Sequence, residues 1–208
     1  MEAPHDQQTP ATRLERLFKE HHGYLRRQQV VDASIDPHLL SAWVEQGRAE
    51  RVQRGVYRDA TAPALTDETY VELALRIPKG VICLRSALSF HELSTIVPGE
   101  IDLAIPNKAR TPPIDYPPVR FYYFTERVYH YGIEEHPAGP ATLKVYSPEK
   151  TLADMLYYRS ELGNDLFLEG LQTYMRRPKP RPNPAKVMEA ARVRRVHGQM
   201  RTYLEALI

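Results

Sequence analysis

Apolar residues recur every three or four positions in the first fifty residues, which is the spacing of amphipathic helices. The predicted helices cover residues 13–20, 25–33 and 37–46. Pro37 suits the first turn of the third helix, because a proline there lacks only an N–H that would have no partner, and Gly47 suits its end. The pattern therefore predicts three short helices near the N-terminus.

A basic hairpin is predicted directly after the third helix. Residues 49–58 form two short strand patterns joined by a tight turn at Arg54-Gly55. Two helices, a short turn, a third helix and a hairpin, in that order, are typical of a winged helix-turn-helix. We therefore expect a DNA-binding domain over 12–58, preceded by a disordered arm at 1–11.

The rest of the chain mixes strand and helix patterns. The small residues of 59–65 predict a linker, and 66–208 a second domain. Its predicted helices are 67–76, 86–93, 147–159, 165–175, 185–192 and 196–207, and its predicted strands are 81–84, 100–105, 119–124 and 142–146. The fold class is accordingly α+β, a winged helix-turn-helix followed by a mixed α+β C-terminal domain that ends in helices.

Basic residues surround the predicted hairpin. A recognition helix reads base edges with its N-terminal side chains, while flanking arginines hold phosphates. The candidate DNA-binding residues are Arg26, Arg27, His38, Ser41, Arg48, Arg51, Arg54 and Arg58. Protein contact or dimerisation is the alternative use of such a domain.

Several polar side chains of the second domain are candidates for binding a partner. On the helix at 147–159, Lys150, Thr151, Asp154 and Tyr158 share one face; a surface ion pair between Lys150 and Asp154 is the alternative. A basic patch of Arg192, Arg194, Arg195 and Arg201 would suit nucleic acid or an acidic protein, with a solvated helix face as the alternative. The candidate partner-binding residues are Ser86, His91, Thr151, Tyr158, Arg159, Arg194 and Arg195. For Ser86 and His91, helix capping and core packing are the competing roles.

The composition argues against several classes of protein. The single cysteine, Cys83, allows no disulfide within the chain, and no apolar run approaches the ~20 residues that cross a bilayer. Glycine-rich phosphate loops, histidine pairs at metal spacing and cysteine clusters are missing. We therefore expect a cytoplasmic protein with no metal and no cofactor.

Four segments together resemble the AbiEi antitoxin family. They are Gly55–Arg58, Pro78–His91, Ser147–Asp154 and Tyr203–Leu207. The resemblance implies an antitoxin of an abortive-infection toxin–antitoxin system with a nucleotidyltransferase-like toxin as its partner. It further implies that the winged helix binds inverted repeats in its own promoter, where a monomer or weak dimer would pair on DNA, and that the C-terminal domain neutralises the toxin.

The resemblance leaves the mode of neutralisation open. Neutralisation could be by binding, or by phosphorylation of the toxin by an atypical serine/threonine kinase that uses ATP and Mg²⁺. In a kinase, Lys150 would contact phosphate, Asp154 would serve as metal ligand or base, and Asp102 would be a further catalytic candidate. A regulator whose C-terminal domain senses a small ligand is the third alternative.

Overall fold

The computed structural model describes residues 9–62, 68–111, 113–138 and 141–207. The chain divides into two compact units. The first is Met1–Arg76 with Pro137–Thr142, and the second is Ile77–His136 with Leu143–Ile208. Part of the predicted linker, residues 63–65, and most of the predicted arm, residues 1–8, lie outside the described residues.

The first unit has the element order of a winged helix. Its elements are α1 (Pro10–Glu20), β1 (Tyr24–Arg26), α2 (Arg27–Asp32), α3 (His38–Glu45), β2 (Ala49–Gln53), β3 (Val56–Asp59) and α4 (Glu68–Arg76). The strands form an antiparallel sheet in the order β1-β3-β2. Phe18 stacks on Trp43 with ring centroids 5.9 Å apart, in a core that also buries Leu14 and Leu40. Gly55 takes the positive φ of 78° that the turn between β2 and β3 requires.

Two boundaries in this unit differ from the sequence-based expectation. The predicted second helix begins too early, because Leu25 lies in β1 and pairs with Tyr57 of β3. A strand of three residues is held by its partner strand, which periodicity within the segment cannot reveal. Helix α1 starts at Pro10 and takes in the last two residues of the predicted arm. Thr9 caps it, because the Thr9 hydroxyl oxygen accepts from the Thr12 N–H at 3.2 Å.

The second unit is built on a five-stranded mixed sheet. Its elements in chain order are β4 (Val81–Ile82), α5 (Leu84–Phe90), β5 (Ile101–Pro106), β6 (Val119–Phe124), α6 (Glu126–His130), β7 (Ile133–Ala138), β8 (Ala141–Tyr146), α7 (Pro148–Tyr157), α8 (Arg159–Leu162), α9 (Asn164–Arg176), α10 (Pro184–Val193) and α11 (His197–Glu205). The strand order is β6-β5-β4-β8-β7. Strand β4 runs antiparallel to β5 and parallel to β8, and β5 runs parallel to β6.

Helix α7 is the centre of the second unit. Its neighbours are α5, α9 and α10, and seven successive residues, from Lys150 to Leu156, are buried. A helix enclosed on every side has no solvent-facing stripe, so its polar residues must find partners inside the protein. The Ser147 hydroxyl accepts from the Lys150 N–H at 3.3 Å and caps the helix, with Pro148 in the first turn.

The structure confirms the α+β fold class, with N-terminal helices and strands followed by a C-terminal sheet and helices. The predicted strand 81–84 is shorter than expected, because Leu84 already opens α5. Strand β7 and helix α6 were not predicted. None of the helices in the described ranges has the length and apolar character needed to span a membrane.

Candidate nucleic-acid interface and buried charge cluster

Three exposed arginines converge at the turn between β2 and β3. Arg26 ends β1 opposite Val56, and the Arg27 N–H donates to the Gly55 carbonyl at 2.8 Å. Arg54 precedes that glycine, and all three arginine side chains are exposed. We call the hairpin of β2 and β3 the wing. Arg26 and Arg27 lie beside its tip because their backbone pairs with β3 and Gly55 instead of forming the predicted helix.

Helix α3 presents its predicted base-reading residues to solvent. His38 and Ser41 are exposed, while Leu40 and Trp43 on the opposite face are buried. The Asp36 carboxylate accepts from the His38 N–H at 2.9 Å, which satisfies a free donor at the helix start. The helix is thus anchored by one face and open along the other, as insertion into a groove requires.

Two of the predicted phosphate contacts are already bound within the protein. Arg48 Nη2 lies 2.6 Å from Glu15 Oε1, and its guanidinium stands 4.0 Å from the centroid of the Trp43 ring. Arg58, with a side chain only 16% exposed, pairs with Glu68 at 3.1 Å and with Glu50 at 3.6 Å. Arg51 and Arg54 are exposed and so remain open to phosphate. Arg58 would first have to leave its carboxylates.

The second unit contains a buried cluster of two cations and one carboxylate. Lys150 Nζ donates to Asp154 Oδ2, and Arg194, the C-cap residue of α10, places Nε 2.7 Å from Asp154 Oδ1. The Arg194 N–H does not point along that line, so this contact is ionic without being an aligned hydrogen bond. Lys150 and Asp154 are fully buried. The alternative of a surface ion pair between Lys150 and Asp154 is therefore wrong, because their part of α7 is buried.

Aromatic rings take the place of water around the two cations. Lys150 Nζ lies 4.2 Å from the Tyr146 ring centroid and 4.9 Å from that of Phe124. The Arg194 guanidinium lies 4.0 Å from the Tyr157 ring and 4.5 Å from the Phe124 ring. The electron-rich faces of these rings offset part of the cost of burying positive charge.

Burial dominates the protonation of this region. It lowers the pKa of Lys150, with the ion pair to Asp154 opposing that shift and the Arg194 charge adding to it. Burial also raises the pKa of the Cys83 thiol well above its ordinary value, so Cys83 stays protonated and unreactive. The cluster joins α7 to α10 and, being closed to solvent, presents no side chain to a nucleotide.

Asp102, the third catalytic candidate, is engaged elsewhere. It is fully buried in β5, and Arg85 donates to it through Nε at 2.8 Å and through Nη2 at 2.6 Å. The Asp102 N–H donates to the Ser86 hydroxyl at 2.9 Å. These bonds tie β5 to α5. The hydrogen bonds from the Arg85 side chain to the Asp102 carboxylate raise the pKa of Arg85. Asp102 is thus paired with Arg85 and is not a member of the buried cluster of Lys150, Asp154 and Arg194.

The candidate partner-binding residues are divided between interior and surface. Ser86 and Thr151 are buried, and Arg194 is nearly so. His91 Nε2 donates to the Tyr146 carbonyl at 2.7 Å, and the Thr151 hydroxyl reaches the same oxygen at 3.2 Å. Arg195 is exposed, and His91, Tyr158 and Arg159 are half-buried; Arg159 Nη1 also donates to the Leu156 carbonyl at 2.8 Å.

Sequence reasoning missed the residues that complete both regions. Glu68 holds Arg58, and Phe124 and Tyr157 flank the buried cations. Each is distant in sequence or unremarkable in type, and only the repeated tyrosine at 157–158 offered a signal. Across the ranges the structure describes, no group of three His, Cys, Asp or Glu side chains could hold a metal ion.

The first unit belongs to the winged-helix class by its element order and its exposed basic wing. Residues 13–58 match the family described as "Transcriptional regulator, AbiEi antitoxin". The match confirms the AbiEi resemblance over this segment and supports a role as an antitoxin or transcriptional regulator.

A crystal structure of the RV2827C protein from Mycobacterium tuberculosis is similar to the chain over most of its length. The TM-score is 0.55 at 15% sequence identity, and the alignment covers 95% of this chain and 81% of that one. At this identity the likeness establishes a shared fold. No curated protein matches the chain.

Proposed function

We propose that this protein is an antitoxin that represses its own operon through the first unit and neutralises a nucleotidyltransferase-like toxin through the second. The observation that carries the proposal is the AbiEi match over residues 13–58, which coincides with the winged helix and its exposed arginines. The second unit, with its own core and a basic C-terminal end, supplies a separate surface for a protein partner.

The DNA-binding half of the proposal depends on the exposed wing and the open face of α3. Arg26, Arg27 and Arg54 would neutralise phosphates beside the groove that His38 and Ser41 enter. The DNA site in the protein's own promoter would consist of inverted repeats, so two copies of a monomer or weak dimer would bind side by side. The protein would work in the cytoplasm, where its buried Cys83 needs no disulfide partner.

Burial of the proposed kinase residues favours neutralisation by binding. A phosphoryl-transfer site needs a cation that reaches nucleotide phosphates and a carboxylate that reaches a metal or hydroxyl. Lys150 and Asp154 instead satisfy each other in the interior, and Asp102 is held by Arg85. An ATP- and Mg²⁺-dependent kinase remains the second candidate only if another set of residues supplies these contacts.

Co-expression with the adjacent open reading frame tests the proposal directly. We expect that reading frame to encode a growth-inhibiting protein, and this chain to restore growth. The two mechanisms separate on intact mass: binding leaves the toxin mass unchanged after incubation with ATP and Mg²⁺, whereas phosphorylation adds ~80 Da. Continued growth arrest despite equal expression of both proteins would refute the antitoxin role.

A further inference from the structure

A shallow groove lies between the last two helices of the second unit. It has a volume of about 440 Å³ and is lined by Pro184, Ala185, Met188, Arg192, Arg201, Leu204 and Glu205. The four lining residues of α10 are spaced so that they lie on one face of that helix, and the three lining residues of α11 lie on one face of theirs. Packing of the two helices therefore forms an apolar floor with charged side chains at its margin.

The positive margin of the groove has no carboxylate partner among the residues that the structure describes. Arg192 and Arg201 are exposed, and in the part of the chain that the structure describes neither meets a carboxylate within 4.0 Å. Arg194, the neighbouring arginine, is by contrast committed to Asp154 inside the unit. The groove thus offers two free guanidinium groups beside apolar side chains.

This combination fits a protein segment better than nucleic acid. Single-stranded nucleic acids bind by stacking their bases on aromatic side chains, and none of the described residues that line the groove is aromatic. Met188 and Leu204 of the groove suit an aliphatic or aromatic side chain. Carboxylates on either side of that side chain would meet the two arginines.

We propose that this groove binds the toxin through a segment in which an apolar side chain is flanked by Asp or Glu residues. The inference rests on the proposed function, because it identifies the surface by which the second unit holds its toxin. The apolar residue enters between α10 and α11, and the flanking carboxylates form salt bridges with Arg192 and Arg201. Docking of this kind needs no opening of the buried cluster around Asp154.

Binding of the full-length protein to the purified product of the adjacent open reading frame, measured by calorimetry, tests this surface. We expect the double variant Arg192→Glu/Arg201→Glu to bind roughly tenfold more weakly or worse, because two attractive contacts become repulsive. The matched control, Arg110→Glu/Arg127→Glu, makes the same change in net charge at two exposed arginines outside the groove, and should bind as the native chain does.

A third variant separates occupancy of the groove from simple charge attraction. Ala185→Arg fills the groove while adding positive charge, so docking predicts weaker binding and unspecific attraction predicts equal or tighter binding. Ala185 is exposed, and the unfolding midpoint by circular dichroism should match that of the native chain.

The outcomes separate this inference from the proposed function. If the native chain binds and both groove variants bind equally well, the groove is overturned while the antitoxin role stands. If the native chain does not bind the adjacent product, both are overturned. If the double variant loses affinity only for DNA from upstream of its gene, the groove is a nucleic-acid contact and the inference is wrong.

Discussion

At the scale of single residues, the buried cluster around Asp154 shows how a helix keeps charge inside a core. One carboxylate faces Lys150 and Arg194, and aromatic rings cover the remaining surface of both cations. Burying an ion pair is often no gain over an apolar core, but removing one partner is costly because it leaves an uncompensated charge. The carboxylate is the sensitive member, since two cations depend on it.

Asp154→Asn should therefore destabilise the protein by about 3–5 kcal/mol, as expected for breaking a buried ion pair. The measurement is the free energy of unfolding in urea. Glu126→Gln is the matched control, because Glu126 and His130 form an exposed pair at the same i, i+4 spacing, and its loss should cost less than about 1 kcal/mol. Equal effects of the two substitutions would contradict the burial of the cluster.

His91 should make stability depend on pH on the acid side of neutrality. Burial lowers the pKa of His91 from its ordinary 6.5, with the hydrogen bond to the Tyr146 carbonyl opposing that shift and the charge of Arg177 adding to it. As the pH falls below 6.5, the unfolded chain takes up a proton before the folded one, so stability decreases; above 6.5 this residue contributes no slope.

The variant His91→Gln keeps an N–H donor for the Tyr146 carbonyl but cannot titrate. Below pH 6.5 its unfolding free energy should fall less steeply than that of the native chain, by at most about 1.4 kcal/mol per pH unit. Parallel curves for the two proteins in urea unfolding would show that His91 is not protected from protonation.

At the scale of elements, the wing and α3 divide the work expected of a DNA-binding surface. Among the described residues no carboxylate pairs with the exposed wing residues Arg51 and Arg54, and α3 carries the polar side chains of His38 and Ser41, which are able to form directional hydrogen bonds. Arg48 and Arg58 differ from the other wing arginines because carboxylates already hold them. The two groups should therefore respond differently to substitution.

The double variant Arg51→Ala/Arg54→Ala should weaken binding to all DNA sequences and reduce the slope of log affinity against log salt by roughly 0.9 for each phosphate that is no longer neutralised. Ser41→Ala should alter sequence preference instead. Fluorescence anisotropy over a salt series measures both, and Arg16→Ala, an exposed arginine of α1, is the control. An unchanged salt slope in the double variant would remove the wing from the interface.

At the scale of the whole molecule, the two units have separate cores. The first unit is built around Phe18 and Trp43, and the second around α7 and the five-stranded sheet. A surface substitution in one unit should therefore leave the core packing of the other unit unchanged. The proposed activities should accordingly be separable in the intact chain.

The wing variant Arg51→Ala/Arg54→Ala should therefore lose repression of a promoter reporter while still restoring growth in the presence of the toxin. The groove variant Arg192→Glu/Arg201→Glu should do the reverse. Reporter output and colony counts from the same strains provide both measurements. Loss of both activities in the wing variant would mean that neutralisation needs the DNA-bound form, whereas loss of both in the groove variant would mean that repression also depends on the groove.

Sequence periodicity predicts the helices of both units well but cannot supply contacts made across the chain. The residues of β1 fit a helical pattern, and they form a strand only by pairing with β3, which begins thirty residues after β1 ends. Strand β7 carries too many polar residues to show the alternation of a strand. A helical wheel places Lys150 and Asp154 on an outer face of α7, because it cannot show that Arg194 pairs with Asp154 or that the Tyr146 and Phe124 rings lie against Lys150.

The ion pair between Arg58 and Glu68 bears on how the first unit can be isolated. Glu68 begins α4 and also accepts from the Tyr24 hydroxyl at 3.3 Å, and burial raises the pKa of Tyr24 to about 12. A fragment cut after β3 would expose Tyr24 and release Arg58 toward solvent. Such a shortened piece would keep Glu50 but lose Glu68, one of the two carboxylates that hold Arg58, so its affinity for DNA would overstate that of the intact protein.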